Sequence, residues 1–147
     1  MVRLGSPDLL IEYSMKLISL VIALSFAQVK DATVSAPTRL DWAFAVRGFG
    51  KDAGQLPASY SSTSQKYQFY APKSDKEPRP LVVFISPSNQ PAGWAAWKNV
   101  CEKEGVYFCS PYGAGNDVAA GQRTRIVLDA VDDIRRKYRI DPRQTYI

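Results

Sequence analysis

From residue 60 onward the apolar positions recur with short, clear periods, and before residue 60 they do not. Lys66 to Ala71 sets Tyr67, Phe69 and Ala71 against Gln68 and Tyr70. This alternation predicts a strand with one face better buried. Leu81 to Ser86 is a continuous β-branched and aromatic run, the pattern of a strand covered on both faces in a parallel sheet. Trp94 to Glu104 places Trp94, Trp97, Val100 and Cys101 on one helical face, and Gly105 supplies a stop. Val106 to Ser110 reads as a second buried strand. Gln122 to Arg139 predicts an amphipathic helix whose stripe is Ile126, Val127, Ala130, Val131, Ile134 and Tyr138. Asp133 and Lys137 lie four apart on its polar side, in the favourable order. Ile140-Asp141-Pro142 breaks that helix, and Thr145 to Ile147 begins a third buried strand.

The segments between these elements, Pro72 to Pro80, Pro87 to Gly93 and Pro111 to Gly121, are rich in turn residues. The order strand, strand, helix, strand, helix, strand predicts an α/β fold, a parallel-type sheet with flanking helices. Ligands of such sheets bind beyond the carboxyl ends of the strands. The loops at 86–93 and 111–121 lie there, which makes Tyr112, Gly113 and Asn116 candidates for lining a substrate cleft.

The N-terminal third reads differently. Met15-Lys16 precedes the apolar run Leu17 to Ala27, with Ser25 and Ala27 as small residues before a cleavage point. This is the layout of a secretory signal peptide, and the run is shorter than the about 20 residues of a membrane span. Asp8 and Glu12 offset Arg3 and Lys16, whereas a start at Met15 restores an ordinary leader. The expected organisation is a leader and signal peptide over 1–27, an irregular N-terminal arm over 28–59, and an α/β domain over 60–147. Within the arm, Thr33 to Thr38 and Gly48 to Pro57 read as loops, and Trp42, Phe44, Val46 and Phe49 as one short strand. The chain is expected to be exported, to periplasm or extracellular space, with no stable membrane insertion once the leader is removed.

Composition narrows the chemistry. The chain has 147 residues, 46% hydrophobic and 22% charged, a globular balance. Its net charge is +5, but the basic residues are mixed with acidic ones, so no nucleic-acid partner is expected. There is no histidine. A Ser-His-Asp triad therefore cannot be completed within these residues, and no G-x-S-x-G or phosphate-loop spacing occurs. No cofactor or metal is expected.

The segment Lys66 to Ile147 resembles the N-terminal half of secreted α/β-hydrolase serine esterases of the polyhydroxybutyrate-depolymerase-like and feruloyl-esterase-like groups. The resemblance is carried by Tyr67-Gln68-Phe69-Tyr70-Ala71-Pro72, by the strand from Leu81, by Trp94 or Trp97, and by Ser110-Pro111-Tyr112-Gly113. Its most specific part is Val131 to Pro142 followed by Gln144-Thr145-Tyr146-Ile147. It implies a carboxylic-ester hydrolase acting on an ester or polymer substrate, with this chain stopping before the nucleophile turn and inactive alone. Such esterases carry His-Gly after the strand that ends here at Ile85, where this chain has Ser86-Pro87-Ser88-Asn89. An oxyanion hole needs a backbone N–H, and Pro87 has none. Ser88 is the first candidate and Asn89 the second. The alternative is a non-catalytic exported module that binds a carbohydrate or surface polymer.

Other features receive plainer readings. Ser86 and Ser88 read as turn serines rather than nucleophiles. Asp129, Asp132 and Asp133 could suggest a metal site, but Arg135, Arg136 and Lys137 beside them favour a solvated ion-pair face. Cys101 and Cys109 could pair after export or pack as free thiols, and the helix-to-strand separation favours the free state.

Overall fold

The computed structural model describes residues 28–147 except Gly54 and Asp75. The expected leader over 1–27 and the start at Met15 lie outside the described residues. Five strands form one sheet: β1 (Lys30–Thr33), β2 (Lys66–Tyr70), β3 (Arg79–Val83), β4 (Tyr107–Pro111) and β5 (Ile140–Tyr146). Three helices accompany them: α1 (Trp42–Val46), α2 (Trp94–Glu104) and α3 (Ala120–Lys137).

The sheet order is β1-β2-β4-β3-β5. β3 runs parallel to β4 and to β5, whereas β1–β2 and β2–β4 are antiparallel. The sheet is thus mixed, not of the parallel type expected throughout. The parallel pairs are those whose connections carry α2 and α3. β2 reaches β3 through a short polar turn with no helix and pairs with β4 instead, in the opposite sense.

Alternation of strand side chains divides the core between the two faces. Tyr67, Phe69, Leu81, Val83, Tyr107 and Cys109 meet the stripe of α3, namely Val127, Ala130, Val131 and Ile134. On the opposite face, Tyr70, Val82 and Phe108 meet Cys101, Trp94 and Trp97 of α2. Cys101 and Cys109 therefore lie on opposite sides of the sheet, and both are free and buried. Burial pushes the Cys101 thiol up to about 11 and raises that of Cys109 as well.

α2 begins and ends where the pattern predicts, with Gly105 at φ 68 closing it. Val100, expected on its buried stripe, is 45% exposed. The cluster Trp42 to Phe49, read as a strand, forms α1 and a following 3-10 turn. The Asp41 carboxylate caps α1 by accepting the Phe44 N–H at 2.8 Å, which outweighs the strand-like alternation of the sequence. β5 starts at Ile140, before the expected Thr145, and its end is exposed rather than buried, with Tyr146 58% and Ile147 68% exposed at the last position of the sheet order. Its register slips between Arg79 and Leu81, so only its end, with Leu81 opposite Thr145 and Val82 opposite Tyr146, pairs regularly.

The largest departure concerns Asp129, Asp132 and Asp133. Expected on a solvated face, they are 0%, 2% and 0% exposed. The segment after β1 lies over this side of α3 and fills their hydrogen-bonding capacity. The Thr38 N–H donates to Asp129 at 2.8 Å and the Arg39 N–H to Asp132 at 2.8 Å. Ser35 donates to Asp133 through its N–H at 2.9 Å and through its hydroxyl. Tyr60 and Tyr67 give their hydroxyls to Asp129 and Asp133, at 2.7 and 2.6 Å. Four cations complete the set: Arg125 on Asp129, Arg39 and Arg136 on Asp132, and Lys137 on Asp133. Buried carboxylates persist only when so fully satisfied.

Burial raises the pKa of Asp132 and Asp133, but these hydrogen bonds and cations outweigh it and hold both carboxyls below the ordinary range. A depressed folded-state value means that this stabilisation is complete above the unfolded carboxyl value of about 4 and is lost as pH falls through the folded values. The unfolding free energy should therefore decline from about pH 4 downward, with a shallower decline in Asp133→Asn, as read by urea denaturation across that range.

The same assay at neutral pH tests the network directly. Asp133→Ala strands Ser35, Tyr67 and Lys137 and should destabilise by about 2–4 kcal/mol. Tyr67→Phe keeps the packing, removes one donor and should cost about 1–2 kcal/mol.

Candidate functional site

The carboxyl ends of β3 and β4 carry two loops, and the hydrogen bonds between them make one platform. β3 continues past Val83, with the Phe84 N–H donating to the Cys109 carbonyl at 2.8 Å. Ser110, fully buried on β4, then fixes the first loop from beneath. Its hydroxyl donates to the Phe84 carbonyl at 2.9 Å and accepts the Ala92 N–H at 3.0 Å.

The chain turns at Ser86-Pro87-Ser88. The buried Ser86 hydroxyl accepts the Ser88 N–H at 3.2 Å and lies 3.1 Å from the Ser88 hydroxyl. The Gln90 N–H donates to Ser88 Oγ at 3.3 Å. Ser86 is thus a turn-forming serine. Ser88, the first oxyanion candidate, spends its N–H inside this turn.

Asn89 is the hub between the loops. Its carbonyl accepts the Gly113 N–H at 2.9 Å, and its Oδ1 accepts the Gly115 N–H at 3.0 Å. Its Nδ2 donates to both oxygens of Asp117, at 3.0 and 2.9 Å. The Asn116 N–H adds a bond to the Pro87 carbonyl at 2.9 Å, and the Asn116 side chain accepts from Arg123 of α3 at 3.0 Å. Two glycines permit the approach. Gly113 sits at φ 67, and a Cβ on Gly115 would lie 2.8 Å from both Asp117 Oδ1 and the Ser88 carbonyl carbon.

The structure therefore brings Ser88, Asn89, Gly113 and Asn116 together. Tyr112 is drawn away: its N–H donates to the Lys66 carbonyl and its hydroxyl to Asp31 of β1 at 2.9 Å. That hydrogen bond to Asp31, with some burial, raises the Tyr112 pKa. Sequence reasoning missed Ser110, Gly115 and Asp117. Ser110 carried a signal, a lone hydroxyl at the end of a buried strand that needs partners. Asp117 carried none, because its partner is 28 residues away.

Among the described residues, no group of three or more His, Cys, Asp and Glu side chains is placed to hold a metal ion. No helix among them is long and apolar enough to cross a membrane. No protein-family model matches the chain, and no curated protein is significantly similar to it.

If Asn89 is the hub, Asn89→Ala should release the Gly115 amide and loosen the Gly113 amide. Native-state hydrogen exchange should show their protection falling by at least about tenfold while that of the Leu81 and Phe108 amides is unchanged. Equal loss at all four positions would mean global destabilisation instead.

Proposed function

We propose that the chain is the N-terminal part of an exported serine carboxylic-ester hydrolase of the α/β-hydrolase type. One observation carries this reading. β5 pairs in parallel with β3 on the side away from β4, and β1 and β2 complete the order β1-β2-β4-β3-β5 with β2 antiparallel. That is the arrangement of the leading strands in an α/β-hydrolase sheet, where the strand in the β5 position feeds the nucleophile turn. The loop platform at the carboxyl ends of β3 and β4 supports the same reading, since it adjoins the place where an acyl group would bind.

The chemistry is acyl transfer. A serine attacks the ester carbonyl, a histidine accepts its proton, and backbone N–H groups hold the oxyanion. Only the last function can come from the residues in hand. With the Ser88 N–H engaged by Ser86, Asn89 is the remaining candidate donor, on a backbone pinned by the bonds to Gly113, Gly115 and Asp117. The reading requires a nucleophile turn and a histidine that these 147 residues do not contain.

The engaged Ser88 N–H also favours a second reading, a non-catalytic exported module that binds a carbohydrate or surface polymer. Translating the frame and flanking DNA past Ile147 separates the possibilities. The esterase reading expects G-x-S-x-G within about ten residues and a histidine further on. Its absence defeats that reading. An intact motif in an extended protein that neither hydrolyses a p-nitrophenyl ester nor takes up a fluorophosphonate supports binding.

A further inference from the structure

A cleft of about 680 Å³ opens at the other end of the sheet, away from the Ser86–Asn89 loop. This volume falls in the range of small-molecule sites. The cleft lies between β1, the turn after β2 and the end of α3. Phe69 and Tyr138 form its aromatic floor, with ring centroids 4.7 Å apart. Ala71 and Pro72 make an apolar wall.

Two exposed lysines flank it, Lys30 from β1 and Lys73 from the turn. Neither has an ion-pair partner among the described residues, and all three carboxylates of α3 are committed to other cations. Strand alternation sets Lys30 on the same side as Ala32, which packs against the α3-face core. Asp31, also at the rim, points to the opposite side and accepts the Tyr112 hydroxyl at 2.9 Å. Asp31 is the one carboxylate among the described lining residues, and it is turned away and occupied. An aromatic floor below a pair of unneutralised ammonium groups suits a flat apolar body that carries one negative charge.

We propose that this cleft binds a small aromatic carboxylate, its ring on Phe69 and Tyr138 and its carboxylate between Lys30 and Lys73. The lysines supply charge complementarity and orientation, and the rings supply apolar contact. The site shares no lining residue with the loop platform, so it stands whether or not the esterase reading does.

The test is titration of the full chain with phenylbutyrate, followed by amide chemical shifts. The Ala32, Ala71 and Tyr138 amides should shift in a saturable way at millimolar ligand, and those of Asn89 and Gly115 should not. Phenylbutanol, neutral and of the same shape, should bind at least about tenfold more weakly. The double variant Lys30→Gln/Lys73→Gln should weaken phenylbutyrate about tenfold, and Lys30→Arg/Lys73→Arg should restore it. Both lysines are exposed, so neither pair of changes threatens the fold. Absence of saturable shifts, equal affinity for acid and alcohol, or indifference to the glutamine variant overturns the proposal. So does binding to phosphatidylserine vesicles without binding of the free acid, which would make the lysines a membrane contact.

Discussion

Three carboxylates withdrawn from water on one helix hold this domain together. Asp129, Asp132 and Asp133 would each be costly to bury alone. They are stable because the segment after β1 brings them the N–H groups of Ser35, Thr38 and Arg39, none of which serves a helix or sheet ladder. The exchange is mutual. An irregular segment gains acceptors for its backbone, and the helix gains donors for its charges. The same docking carries Val34 and Leu40 onto the core, where they cover the α3 face of the sheet. What looks like a loose arm in the sequence is therefore a wall of the domain.

Anchoring α3 has consequences at both of its ends. At its start, the Trp42 indole donates to the Gly121 carbonyl at 2.8 Å, and Arg123 reaches Asn116, so the loop before the helix is held in place. That loop meets the Ser86–Gln90 turn through Asn89 and Asp117. The result is a pair of cross-braced loops rather than a flexible mouth. At the other end of α3, Tyr138 leaves the helix and packs at a tilt against Phe69, which creates the aromatic floor of the cleft there.

Local signals were legible in the sequence. The stripe of α3 and the glycine stop of α2 depend on neighbours within a turn or two, and both stand where the periodicity puts them. Strands β2, β3 and β4 were legible for the same reason, as alternation or as unbroken apolar runs. The sense of β2 was not, since antiparallel pairing with β4 is fixed by chain routing and not by composition. The buried aspartates were read as surface because helical periodicity classes every Asp as polar, and the donors that bury Asp133 come from 98 and 66 residues away. β1 was hidden for a related reason: Lys30, Asp31 and Thr33 are exposed edge residues, and charge on an edge strand conceals it. α1 was the avoidable miss, since Asp41 three residues before Phe44 is a recognisable cap.

The docked arm is the claim on which the rest stands, and amide hydrogen exchange measures it directly. The Ser35, Thr38 and Arg39 amides belong to no helix or strand, so a free arm would exchange them at the rate of an unstructured peptide. Docking on the three carboxylates predicts protection approaching that of the central strand amides of β3 and β4. Exchange of these three amides at the unstructured rate, in a protein whose sheet remains protected, would contradict it.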